Sequence, residues 1–194
     1  MEIRDAKRED ARDLARLINL AGEGIPEYLW SQQAGDGDTA LEVGARRAAR
    51  DDGGFSYRHA RVCVDDAGRV LGMLLAYRLP DPYPLGDLDD YPALVRPLLE
   101  QESRVPGSWY INGIATFEHC RGKGIGRLLI QDTERRAQAA GCDLISLIVA
   151  SENSTAKRLY EAMGFNIKDS RPVVPYPGSP QDGDWILMVK TIGN

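Results

Sequence analysis

With 194 residues, 43% of them hydrophobic and 27% charged, the chain has an ordinary globular composition and enough apolar material for one core, so a single domain over residues 1–194 is expected. A formal net charge of −5 argues against long nucleic acid as a partner, because that binding rests on a broad basic surface. No stretch approaches the length of a membrane span, and MEIRDAKRED at the start is charged from its second residue. Neither a membrane nor a secretory signal is therefore expected, and the cytoplasm is the expected compartment.

Residues 2–6 read as a short strand. Residues 9–21 read as a helix with Leu14, Leu17, Ile18 and Ala21 on one face, and Glu9 and Asp10 fall in its first turn, where negative charge suits the helix dipole. A second helical region over residues 26–50 is broken around 35–38, which divides it into two helices. Strands over 61–64 and 69–77 flank Asp65, Asp66, Ala67 and Gly68, a hairpin signal. Residues 80–107 carry Pro80, Pro82, Pro84, Pro92, Pro97 and Pro106. A short helix is expected there over 93–102, with loop elsewhere stiffened by proline.

Residues 109–117, with Trp109, Tyr110, Ile111 and Ile114, have the aromatic and β-branched bias of a strand. A helix is expected over 124–140, its apolar stripe starting with Ile125, Leu128 and Leu129 at i, i+3, i+4. Residues 143–150 include Leu144, Ile145, Leu147, Ile148 and Val149, the near-continuous apolar run of a strand covered on both faces. These elements form a βαβ unit whose two strands should be parallel. A helix over 153–163 ends at Gly164, and strands over 165–171 and 184–190 complete the sheet. Between those strands lies a second proline-rich loop, residues 172–183, with Pro172, Pro175, Pro177 and Pro180. Long ordered loops such as 80–107 and 172–183 often shape a binding site. Cys63, Cys120 and Cys142 form no C-x-x-C pair and lie within or beside apolar runs, as buried thiols do, so neither a disulfide nor a metal site is expected.

The chemistry concentrates where the 109–117 strand meets the 124–140 helix. Gly122, Gly124 and Gly126 permit positive φ and remove every Cβ that would hold a ligand away, so successive N–H groups can converge on one anion. The helix adds its own free N–H groups and the positive end of its dipole. Arg121, Lys123 and Arg127 bring mobile positive charge to the same place, which suits a small phosphate-bearing ligand on an acidic protein. A glycine-rich turn that binds nothing is the plain alternative. In the later segment SENSTAKRLYEAMGF, Asn153 and Tyr160 stand on nearly the same helix face, roughly 10 Å apart along the axis. Taken singly, they read as an N-cap and a core aromatic.

With both segments in view, the chain resembles the GCN5-related N-acetyltransferase (GNAT) family, which moves an acetyl group from acetyl-coenzyme A to an amine. The family pattern R/Q-x-x-G-x-G/A appears as Arg121, Gly122, Lys123, Gly124, Ile125 and Gly126, and the later signature as Asn153, Ala156, Tyr160, Gly164 and Phe165. Thr116 and Glu118 depart from the valine and proline often found at their positions. The resemblance implies an α/β (α+β) fold with a mixed, mostly antiparallel sheet, flanked by helices, whose central parallel strand pair splays apart to admit pantetheine. It further implies pantetheine pairing with the backbone at Ile114, Ala115 and Thr116. The pyrophosphate would lie on the N–H groups from Gly122 to Arg127, Ile125 and Gly126 included, with Arg121 and Lys123 adding charge. Asn153 would hold the pantetheine arm, Ala156 would line the same cofactor site, and Tyr160 would act as the acid that protonates the departing thiolate. Segments 80–107 and 172–183 would lie near the acceptor site, and the family admits a homodimer.

The acceptor, whether a small-molecule or peptide amine, must attack unprotonated, and a lysine-like amine is only about one part in a thousand neutral at pH 7. A base or a relaying water is therefore expected. Tyr110 and Asn112 share a strand face with Ile114 and are placed to hold such a water, and Glu118 is the nearest carboxylate in sequence. The acids Asp81, Asp87, Asp89, Asp90, Glu100 and Glu102 are suited either to attracting a cationic amine or to solvating a loop, and His59 and His119 stand isolated. Two other classes stay open. One is a non-catalytic acyl-coenzyme A sensor; the other is a dinucleotide-dependent oxidoreductase, in which Arg127 would replace the third glycine of G-x-G-x-x-G.

Overall fold

The computed structural model describes residues 1–179 and 182–193. Pro180, named above in the second proline-rich loop, lies outside the described residues. Among the described residues, seven strands form one sheet in the order β1-β2-β3-β4-β5-β7-β6, antiparallel at β1–β2, β2–β3, β5–β7 and β7–β6 and parallel at β4–β5. This is the mixed sheet that the βαβ reading anticipates. The chain divides into two compact units: Met1–Ala76 with Asn112–Asp132, and Tyr77–Ile111 with the chain from Thr133 onward. Among the described residues no helix is long and apolar enough to cross a membrane.

In the first unit, β1 (Glu2–Asp5) pairs with β2 (Ala60–Val64), and β2 turns back as β3 (Val70–Arg78). The hairpin closes because Asp65 accepts the N–H groups of Ala67 and Arg69 at 3.0 and 2.9 Å, while Gly68 takes φ 79°. Helix α1 (Ala11–Ala21) buries Leu14, Leu17 and Ile18 against Val62, Val64, Met73 and Leu75. The 26–50 region is two helices, α2 (Ile25–Ser31) and α3 (Ala40–Ala48), and α3 starts from a capping box in which Thr39 N–H donates to Glu42 at 2.8 Å.

The helix expected from residue 9 is preceded by a 3-10 turn, Arg8–Asp10. Its cause is Asp10, whose carboxylate accepts the Lys7 N–H at 2.7 Å and both terminal nitrogens of Arg4 at 2.7 and 3.0 Å. Burial raises the Asp10 carboxyl, but the hydrogen bonds from Arg4 and Lys7 outweigh it and hold it below the ordinary carboxylate value.

In the second unit, the first three residues of β4 (Trp109–Thr116) run parallel to β5 (Leu144–Ala150) with Trp109↔Ile145, Tyr110↔Ser146 and Ile111↔Leu147 in register. Strand β5 pairs along its length with β7 (Asp184–Thr191), and β7 with β6 (Asn166–Pro172). The helix expected over 93–102 is a 3-10 turn, Ala93–Val95, followed by α4 (Arg96–Glu102), with Pro97 in the first turn, where its missing N–H costs nothing. Gln101 of α4 is fully buried and donates Nε2 to the Trp185 carbonyl at 2.9 Å, so the inserted helix is fastened to β7. Cys63, Cys120 and Cys142 are buried free thiols.

Asp10→Ala should lower the unfolding free energy by about 2 kcal/mol at neutral pH, because it strands the Arg4 guanidinium and the Lys7 N–H. The native carboxyl titrates below its unfolded value, so this contribution is complete above about pH 4 and is lost as pH falls through the depressed value. Urea unfolding of the two proteins should therefore differ at pH 7 and converge in acid.

Candidate functional site

Strand β4 leads into the glycine turn. Its residues 112–116 are all partly exposed, in contrast to the buried Tyr110 and Ile111 before them. Phe117 N–H donates to the Leu71 carbonyl at 3.0 Å, a 3-10 turn follows at Glu118–Cys120, and Cys120 is buried beneath it. The next residues, Arg121, Gly122, Lys123 and Gly124, are exposed. Helix α5 (Ile125–Ala139) begins at once, anchored by Ile125, Leu129 and Ile130 at 1%, 0% and 0% exposure.

Gly122 and Gly124 take φ 75° and 78°, the left-handed conformation that L side chains avoid, and a Cβ at either position would meet nothing within 4 Å. No side chain plugs the turn at these two positions. Gly126 differs from expectation, since it lies in the first turn of α5 rather than at positive φ. Leu128 also differs; it is 40% exposed, and the buried stripe runs through Ile125, Leu129 and Ile130 instead. Leu128 N–H donates to the Gly124 carbonyl at 3.1 Å, so the N–H groups of Ile125, Gly126 and Arg127 precede the first intrahelical bond. Exposed Arg121, Lys123 and Arg127 stand in the same turn and first helical turn as these amides, so positive charge and the positive end of the helix dipole coincide there.

What seats this turn went unnoticed in the sequence. A Cβ on Gly72 of β3 would stand 2.8 Å from the Ala115 carbonyl oxygen, 2.8 Å from Thr116 Cγ2 and 3.2 Å from Ile125 Cγ2. Only a glycine lets β3 approach the end of β4 and the start of α5 so closely. A lone glycine in an apolar strand was the available signal.

Asn153, Ala156 and Tyr160 belong to the second unit, on and before α6 (Ser154–Ala162). Asn153 caps the helix, its Oδ1 accepting the Ala156 N–H at 3.1 Å, which is the simpler of its two sequence readings. Tyr160 is 6% exposed and packs its ring against Phe165 at 5.9 Å, while Gly164 ends the helix at φ 88°. Ser151 receives the Asp184 N–H at 3.0 Å and so ties the entry of α6 to β7.

The six acids of the 80–107 segment separate on folding. Asp89 pairs with Arg96 at 2.7 Å, Glu100 with Arg171 at 3.3 Å, and Asp87 caps the Leu88–Asp90 turn. Glu102 instead turns into an apolar cluster of Leu79, Val105 and Leu187, where the Tyr83 hydroxyl donates to it at 2.6 Å and the Tyr110 hydroxyl also bonds to it. Burial raises the Glu102 carboxyl, and the two phenols only partly offset that. Burial and then the carboxylate push Tyr83 above its ordinary range; on Tyr110, burial, Glu102 and Tyr77 act in the same direction. Tyr110, named from sequence as a holder of water, is therefore a buried donor to Glu102. Glu118 is exposed, and His119 stacks on Phe117 at 6.0 Å.

The family model described as Acetyltransferase (GNAT) family matches residues 25–165, which include both the glycine turn and α6. The chain belongs to the GNAT family. The uncharacterized N-acetyltransferase YdgE of Bacillus subtilis (strain 168) is 34% identical over 62 residues, 32% of this chain and 40% of that protein. GCN5-related N-acetyltransferase 4, chloroplastic, of Arabidopsis thaliana is 33% identical over 93 residues, 47% of this chain and 32% of that protein. The chain thus spans less than half the length of either relative. A crystal structure of an N-acetyltransferase from Staphylococcus aureus Mu50 shares the GNAT fold, with a TM-score of 0.67 over 98% of this chain and 100% of that one at 20% identity.

Gly72→Ala drives a methyl into main chain at the seat of the GNAT glycine turn. It should cost about 1–3 kcal/mol of stability in urea unfolding, the range of core overpacking, whereas Ala at an open surface position costs far less.

Proposed function

We propose that this GNAT chain transfers an acetyl group from acetyl-coenzyme A to an amine by direct attack. The observation that carries the reading is the β4–α5 turn: two left-handed glycines with open space where side chains would stand, unspent amides in the first helical turn, and exposed Arg121, Lys123 and Arg127 beside them. A pyrophosphate on this turn takes N–H bonds from Gly122 to Arg127, with Arg121 and Lys123 adding charge-assisted contacts. Pantetheine runs along the backbone of Ile114, Ala115 and Thr116, the partly exposed end of β4. Its arm is held by Asn153 and flanked by Ala156.

The amine attacks the thioester carbonyl, the C–N bond forms, and the C–S bond breaks on collapse of the tetrahedral adduct. Tyr160 gives its proton to the departing thiolate. A phenol suits this step because its ordinary pKa, about 10, keeps it protonated at neutral pH.

Titration calorimetry should show acetyl-coenzyme A binding that Gly124→Ala weakens at least tenfold, because the φ of 78° costs an L residue about 1–2 kcal/mol and the methyl crowds the phosphates. Tyr160→Phe should keep that affinity while kcat falls about 100-fold. A wild-type protein that does not bind acetyl-coenzyme A contradicts the reading, and binding without turnover of any amine points to a sensor instead.

A further inference from the structure

We propose that Glu102, clasped by the hydroxyls of Tyr83 and Tyr110, accepts the proton that the acceptor amine must lose before it attacks. This assignment rests on the acetyl-transfer reading above and supplies the base that the reading lacks.

Of the other carboxylates of the same segment, Asp89 and Glu100 are spent on arginines, Asp87 caps a turn, and Asp81 and Asp90 lie exposed at the surface. The partners of Glu102 among the described residues are two phenols rather than a cation, so its negative charge is not neutralised. A carboxylate has about four lone-pair positions, and two phenol donors leave room for a proton or an ammonium group. The helix end that carries it is held by Gln101 on the Trp185 carbonyl, and by Arg171, which joins Glu100 at 3.3 Å and Asp169 at 3.2 Å. Tyr110 lies at the start of β4, in register with Ser146 of β5, the strand that leads into α6 and Tyr160.

The titratable groups around the carboxyl are Tyr83 and Tyr110, with Tyr77 edge-on to Tyr110 at 6.0 Å and Tyr91 acting on Tyr83. Burial first, and then Glu102, holds the Tyr83 and Tyr110 phenols above their ordinary range. Burial makes Glu102 a stronger base than an exposed glutamate, while the remaining charge selects a cationic amine.

The proton count closes. The ammonium gives one proton to the Glu102 carboxylate; the neutral amine forms the C–N bond; the C–S bond breaks and the thiolate takes the Tyr160 proton. The second nitrogen proton restores the Tyr160 phenol as the amide forms, and Glu102 releases its proton to solvent.

Kinetics on a panel of an alanyl peptide, a lysyl peptide and spermidine test this, with acetyl-coenzyme A binding followed separately by calorimetry. For the most active amine, Glu102→Gln should lower kcat/KM about 100-fold with unchanged coenzyme affinity, and Glu102→Asp should recover part of the loss. The acid limb of the wild-type pH profile should lie above the ordinary glutamate value, vanish in Glu102→Gln, and move to higher pH in Tyr83→Phe, because that hydroxyl lowers the carboxyl's pKa. Coenzyme binding with an unaltered rate and acid limb in Glu102→Gln overturns the Glu102 assignment alone. A wild-type protein that binds no acetyl-coenzyme A, or acetylates none of the three amines, overturns the transfer reading and this assignment with it.

Discussion

A helix cannot satisfy the N–H groups of its own first turn, and in this protein that constraint is turned outward at the β4–α5 junction. The junction is held from beneath by buried Cys120, Ile125, Leu129 and Ile130 and by the close passage of β3 at Gly72. It is left bare above by Gly122 and Gly124. The polar groups are main chain, so their positions follow from the packing of strand and helix rather than from side-chain rotamers. Amides placed in this way are preorganised, and in the proposed acetyl-coenzyme A site they would need little ordering to meet an anion.

Partner type decides what each carboxylate of this acidic chain can do. Asp51, on the surface, accepts from Tyr57, Arg58 and Arg8, and its carboxyl is drawn down to about 2. Asp10 is likewise held low by Arg4 and Lys7 against the effect of burial. Glu102 moves the other way, because burial acts on it without a compensating cation. Two of these carboxyls serve as fixed anions of the scaffold; the third holds its proton more tightly than an ordinary glutamate.

Much of this was legible in the sequence, for identifiable reasons. The hairpin around Gly68 and the β4–α5–β5 unit carry strong local signals, and their strands and helices fall within a residue or two of expectation. Elsewhere, adjacent positions competed. Leu128 and Leu129 both fit an apolar stripe, and only packing puts one inside; Gly126 shares the composition of Gly122 and Gly124 but falls after the helix has begun. Glu102 was one acid among six because its surroundings depend on folding that brings Tyr83 of the preceding loop and Tyr110 of β4 onto it. The seat at Gly72 was hidden for the same reason.

The most direct measurement is a titration of the isotopically labelled protein with coenzyme A, followed through its backbone amide resonances. The largest shifts are expected at Gly122, Lys123, Gly124, Ile125, Gly126 and Arg127, as their N–H groups take up the pyrophosphate oxygens. Saturable binding that leaves these six amides unmoved, with the changes elsewhere, would contradict the main-chain anion site.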